Sequence, residues 1–178
     1  MFRRDQRGQV VVEYAIVFPV QLMLTLAIIQ LALIFVAKHV VNYAAFCGAR
    51  AEIVGEDPTD AACLPLSAVA GTAGAEAETN IEVPGWGELP RSGAARLKTR
   101  VEVASTDEGG VTVVRCDVDH DFQLDIPIGN YIVYGLGEMF VSYGDLTHED
   151  YNDEAPHLPI KGVSYLARPW ALSGDVEN

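Results

Sequence analysis

Twenty-seven residues, Val10 to Val36, form an apolar run whose single charged residue is Glu13. The milder interruptions are Tyr14, Pro19, Gln21, Thr25 and Gln30. A bilayer core needs about 20 helical residues, so a segment of this length spans with residues to spare. A secretory signal peptide has an apolar region of roughly 7 to 15 residues followed by an A-x-A-like site, and this run is too long for that pattern. Cys47 does not read as a lipoprotein cysteine, because Phe46 stands where a small residue is expected. The run therefore reads as a retained membrane helix, with lipid against residues 10–37. A carboxylate near the bilayer centre costs about 3 kcal/mol on insertion scales and less near the end of a span, where Glu13 lies. An acid kept in such a place is a functional candidate.

The flanks set the orientation. Arg3, Arg4 and Arg7 precede the run against one Asp5, whereas Lys38 and His39 follow it. The positive-inside rule leaves the leader cytoplasmic and everything after about residue 38 outside. The chain carries a net charge of −13, and loss of residues 1–8, with three Arg and one Asp, leaves −15. Such a surface does not bind nucleic acid or anionic lipid electrostatically; it keeps an outward-facing domain soluble.

Apolar residues continue at helical spacing past the span, through VAKHVVNYAAFCGARAEIV, with Val36, Val40, Tyr43 and Cys47 on one stripe and no proline until Pro58. A helix from Gln9 to Ile53 would be about 68 Å long. Pro19 would remove one of its hydrogen bonds and kink it. The sequence GEDP at Gly55–Pro58 supplies a stop.

The start of this helix carries a resemblance. Gly8, four residues, then Glu13 and Tyr14 behind a basic leader resemble the G|xxxxEY processing motif of prepilins in the tight-adherence (Tad, type IVc pilus) system. With the apolar helix and the patch Cys47-Gly48-Ala49-Arg50-Ala51, the stretch from Arg3 to Ala51 is similar to the TadE-like minor pilins of that system. The resemblance implies an aspartyl prepilin peptidase that cuts between Gly8 and Gln9. It also implies partners among the other Tad pilins and the inner-membrane assembly platform, passage from the bacterial inner membrane into an extracellular pilus, and a part in adhesion and surface colonisation. A minor rather than a major subunit is implied, since major Tad pilins are very short.

Independently of any family, the spacing has a physical rationale. A cut after Gly8 creates an α-amino group on Gln9 with a pKa of roughly 8, one helical turn from Glu13. Inside lipid that cation needs a partner, and Glu13 of a neighbouring subunit can supply one as helices stack, with Pro19 in the same stretch. Cyclisation of Gln9 to pyroglutamate would erase the amine, and the pairing expects Gln9 to keep it. The competing expectation is an uncleaved single-pass protein whose outer domain binds a ligand or partner.

The remainder divides the chain into a leader, 1–8, a membrane and spine helix, 9–54, and an extracytoplasmic α+β domain, 55–178. Alanine-rich Ala61–Thr79 reads as a second helix weakened near Gly71 and Gly74. Asn80–Gly93, with Pro84, Pro90, Gly85, Gly87 and Gly93, reads as a loop in which Trp86 is a lid over a small core. Leu97, Thr99, Val101 and Val103 alternate with Lys98, Arg100 and Glu102, and Asp107-Glu108-Gly109-Gly110 turns the chain into a second strand. Along that strand Val114, Cys116, Val118, His120, Phe122, Leu124 and Ile126 form the inner face; Arg115, Asp117, Asp119, Asp121, Gln123 and Asp125 face outward. A bend is expected before Pro127. Tyr131–Tyr143 is apolar and aromatic without a deciding period, and Gly162–Arg168 reads as a last strand.

Asp117, Asp119 and Asp121 suggest calcium by composition, but a regular strand cannot wrap alternate side chains around one ion, and a solvated acidic face is the reading. The acidic loop His148–Glu154 is read as solvent-exposed. Cys47, Cys63 and Cys116 allow one bridge outside the cell, and Cys63–Cys116 would tie the second helix to the sheet. His39, His120, His148 and His157 are dispersed, His120 reading as a core histidine; no nucleophile motif, phosphate loop or paired-carboxylate constellation appears, so no enzyme, metal or cofactor is expected.

Overall fold

The computed structural model describes residues 7–71, 79–108, 111–124 and 157–168. The leader up to residue 6, Tyr131–Tyr143, the acidic loop 148–154 and the expected bend before Pro127 lie outside these. The fold is α+β, with a long apolar helix leading into a small domain of short helices and antiparallel strands. Helix α1 runs unbroken from Arg7 to Val54, 48 residues with Pro19 inside it, about 72 Å at 1.5 Å per residue. It ends on a left-handed glycine. Gly55 has φ +82°, its N–H donates to Glu52 O at 3.3 Å and that of Glu56 to Ala51 O at 3.0 Å. These two bonds satisfy carbonyls that the last turn would leave orphaned. Asp57 then caps α2 (Pro58–Leu66), accepting from Thr59 N with Pro58 in the first turn. The GEDP stretch thus stops one helix and starts the next.

Helix α2 is shorter than the alanine-rich stretch predicts. It covers Pro58–Leu66, so it begins before Ala61 and ends well before Thr79. The stretch expected to be a loop is structured: β1 (Glu82–Val83) and β2 (Gly87–Glu88) pair antiparallel, and α3 (Ser92–Leu97) follows. Leu97 and Lys98 consequently end and cap a helix instead of opening a strand.

The main sheet has order β3-β4-β5, from β3 (Thr99–Glu108), β4 (Val111–Gln123) and β5 (His157–Ala167), all antiparallel. The hairpin pairing brackets the Gly109-Gly110 connection, Glu108 facing Val111. The expected inner face is buried along β4, at Val114, Cys116, Val118, His120 and Phe122, and at Leu124 just past its end; Ile126 lies outside the described residues. Asp121 departs from its outward assignment and is only 7% exposed. Its N–H donates to Lys98 O at 2.9 Å, so the α3–β3 junction lies against this end of the strand. Strand β5 begins five residues earlier than Gly162, passing through Pro159, which an edge strand tolerates because one of its sides needs no ladder bond. Its inner residues are Leu158, Ile160, Gly162, Ser164 and Leu166, while Val163 and Tyr165 are exposed.

The second half of α1 lies on the inner face of this sheet. Its buried stripe is Ala37, Val41, Ala44, Ala45, Gly48 and Ala49, not the Val36-Val40-Tyr43-Cys47 stripe that periodicity draws out first. Small side chains win because they let helix and sheet backbones approach. A Cβ on Gly162 of β5 would sit 2.7 Å from the Val41 carbonyl oxygen, and one on Gly48 2.8 Å from Cys116 Sγ and 3.3 Å from Pro58 O. The lysine next to this contact reaches over it, Lys38 Nζ donating to Lys161 O. Arg96 of α3 pairs with Asp60 of α2. The resulting core joins α1, α2, α3 and the sheet through Leu66, Ile53, Cys63, Ala95, Val118 and Ile160 among others.

Candidate functional site

The first half of α1 leaves the domain. From Val10 to Thr25 every residue is exposed, including Glu13, Tyr14 and Pro19. Large apolar side chains such as Val11, Ile16 and Leu24 have more than half their surface free. The most apolar 18-residue window has a mean hydropathy of 2.4 and only 11% of it is buried. A soluble protein does not leave such a surface in water. The helix is long and apolar enough to cross a membrane.

Within this surface the candidate processing residues are successive along one helix. Gly8 and Gln9 lie in the first turn of α1, where backbone N–H groups have no intrahelical acceptor and the chain opens most easily into an extended form. Glu13 and Tyr14 follow one turn on. Tyr14 stacks on Phe18 with ring centroids 5.6 Å apart, the i, i+4 spacing that places rings on one face. Glu13 has no ion-pair partner among the described residues. The next cationic residue after it in the helix is Lys38, about 37 Å further along the axis. Before it, Arg7 opens the same helix six residues earlier.

Beyond the span, the larger residues of the expected stripe have a different place. Tyr43, Cys47, Arg50, Ala51 and Val54 of α1 line an open groove with Glu56 and with Ala61, Leu64 and Pro65 of α2. Tyr43 and Phe46 stack with centroids 6.3 Å apart. Periodicity detected the stripe but could not say which of two apolar faces meets the sheet.

No disulfide joins the three cysteines. Cys63 and Cys116 belong to one core cluster, whereas Cys47 is half-buried on the groove. Burial, then the charges of Asp117 and Glu52, pushes the Cys116 thiol up to about 11. His120 is fully buried, as a core histidine should be. Its Nδ1 lies 2.8 Å from Thr99 Oγ1 and its Nε2 has no hydrogen-bond partner. Burial, reinforced by Lys98 and His157, lowers its pKa to about 4 and keeps the ring neutral. Lys98, expected on an outer face, is only 2% exposed and donates to Gln123 Oε1 at 3.1 Å. On the outer face of β4, Asp117 pairs with Arg115 at 2.7 Å and Asp119 with Lys161 at 3.0 Å. Among the described residues no group of three or more His, Cys, Asp or Glu could hold a metal ion.

Residues 8–50 match the model of the family described as TadE-like protein. The matched stretch runs from Gly8 through the apolar half of α1 to the small-residue stripe against the sheet, and leaves the rest of the domain unmatched. No curated protein and no solved structure matches the chain.

Proposed function

We propose that the chain is a prepilin-type minor subunit of a Tad (type IVc) pilus. It is cut between Gly8 and Gln9 by a prepilin peptidase on the cytoplasmic side of the inner membrane, and it enters or initiates the filament through its apolar helix. The role is structural and non-enzymatic, and adhesion belongs to the assembled pilus. One observation carries this reading: the family match at residues 8–50 coincides with an apolar helix exposed throughout Val10 to Thr25, whose one carboxylate in that stretch, Glu13, is in no ion pair among the described residues. In the membrane such a helix is soluble; outside it, the same surface needs other helices. An α-amino group on Gln9 of a neighbouring subunit supplies the missing cation, and the four residues between the cut and Glu13 set the register of the stack.

The test is the mature N-terminus, read by intact mass after co-expression with a Tad prepilin peptidase. A chain beginning at Gln9 with its amine intact is expected, together with loss of cutting in Gly8→Val. In Glu13→Ala, cutting should persist while filament incorporation falls. An uncut wild-type chain beginning at Met1 refutes the reading and leaves a single-pass protein that acts through its outer domain.

A further inference from the structure

Beyond the span, apolar exposure takes two forms. Trp86, expected as a lid, is 91% exposed in the turn between β1 and β2, where its N–H donates to Val83 O at 3.0 Å. A single projecting apolar residue is ordinary on a protein surface, whereas a contiguous apolar patch marks an interface. The second form is such a patch. The groove between α1 and α2 has a volume of about 500 Å³ and is lined by Tyr43, Cys47, Ala51, Val54, Leu64 and Pro65 among others; its charged lining residues among those described are Arg50 and Glu56. Tyr43, Val54 and Leu64 are exposed there. Arg50 stands 14 residues past Val36, about 21 Å further along the axis, so the lipid tails around the apolar run do not reach this surface.

The charge in the groove points to its occupant. Arg50 is exposed and in no ion pair among the described residues. A guanidinium on an apolar surface suits a carboxylate, which it holds with two parallel N–H bonds, on a partner that is otherwise apolar. The chain itself carries that combination. In the exposed first half of α1, Glu13 shares a helix face with Val10, Tyr14 and Val17. The α1 wall of the groove has the same spacing, Cys47, Arg50, Ala51 and Val54. An offset of 37 residues, 50 minus 13, sets Val10 level with Cys47, Glu13 with Arg50, Tyr14 with Ala51 and Val17 with Val54. Glu56 then falls level with Pro19, six residues from Glu13. We propose that the groove receives the first half of α1 from a second copy of the chain, packed parallel, with Glu13 of the incoming helix on Arg50. The offset amounts to about 55 Å, which two copies level in one bilayer do not have. The contact therefore belongs to a copy raised out of the membrane, and it rests on the filament reading. A carboxylate has two oxygens, so Glu13 can meet Arg50 and a Gln9 amine together.

The test uses the full chain with Val10→Cys, expressed with a Tad machinery, in sheared pili oxidised with copper phenanthroline and mapped by peptide mass. A disulfide between the introduced cysteine of one copy and Cys47 of another is expected. Val12→Cys, at similar depth on the opposite face, should give none. Arg50→Gln in the Val10→Cys chain should lower the yield about threefold to fivefold, and Arg50→Lys should restore part of it. Bonds between two introduced cysteines with none to Cys47 would place the copies level and overturn the proposal while leaving the filament reading standing. Absence of the chain from the pili would overturn both. An unchanged yield in Arg50→Gln would overturn the ion pair. So would native mass spectrometry of the chain in neutral micelles that finds one phospholipid or fatty acid held by the wild type and lost in Arg50→Gln, which would assign the groove to a lipid anion.

Discussion

The contact between Gly162 and α1 can be tested by adding one methyl group. In Gly162→Ala the new Cβ would lie 2.7 Å from the Val41 carbonyl oxygen, 2.9 Å from its carbonyl carbon and 2.9 Å from its Cγ1. Ordinary contact for a methyl carbon begins near 3.4 Å, so helix and strand must separate by about half an ångström. Two of the three opposing atoms are backbone atoms of Val41 in α1, while Gly162 is itself held in β5, and no rotamer change relieves them. Overpacking of this kind costs about 1–3 kcal/mol, and at a few degrees per kcal/mol in a chain of this size the melting temperature should fall by roughly 3–9 °C. The assay is thermal unfolding in detergent micelles followed by far-UV circular dichroism, with hydrogen exchange on β4 and β5 peptides. The second half of the prediction is sharper. Val41→Ala removes Cγ1 but leaves the carbonyl in place, so it should not rescue Gly162→Ala and should add its own loss of buried surface. An unchanged melting temperature in Gly162→Ala, or full rescue by Val41→Ala, would refute the claim that backbone proximity, rather than side-chain fit, defines the helix–sheet distance.

Two further outcomes follow from the buried groups. The neutral His120 ring keeps a folded-state pKa of about 4, whereas the unfolded chain takes up that proton near the ordinary value of about 6.5. Its contribution is fully present above that value and is lost as pH falls toward 4, by up to about 3 kcal/mol, then flattens. Urea titrations at stepped pH should show this slope in the wild type and not in His120→Gln; parallel curves would refute it. Because its thiol is raised to about 11 by burial, Cys116 should resist iodoacetamide at pH 8 while the half-buried Cys47 is alkylated, as peptide mass mapping would show. Modification of Cys116 at the rate of Cys47 in the folded protein would be the contrary result.

Sequence pattern carried the architecture where one signal acted alone. The apolar run is too long for anything but a long helix, strict alternation defined the inner face of β4 from Val114 to Leu124, and Gly55 through Pro58 marked a boundary. It failed where two signals competed on the same residues. Along the second half of α1, both the Ala37-Val41-Ala44 stripe and the Val36-Val40-Tyr43 stripe are apolar. Hydropathy ranks the bulkier one higher, yet close approach to Gly162 selects the smaller. Lys98 was assigned outward by alternation, but α3 ends there, and the change of period carries its side chain inside. Trp86 was placed inside because tryptophan usually is, although its own neighbours, Val-Pro-Gly before it and Gly after, spell a turn whose tip must project. Glu13 drew notice because a charge in an apolar run stands out without any tertiary information. The groove beside Tyr43 and Leu64 was not legible, since it depends on where α2 folds back.

The unbroken path of α1 has a mechanical consequence. No linker separates the exposed apolar half from the half that carries Ala37, Val41 and Gly48 into the core, so the domain cannot pivot about the first half of the helix. A pull on the domain along the helix axis loads the helix–sheet interface in shear, where many contacts share the force, instead of peeling them apart one at a time. The same rigidity means that turning the helix about its axis turns the whole outer face with it, as a key turns its bit.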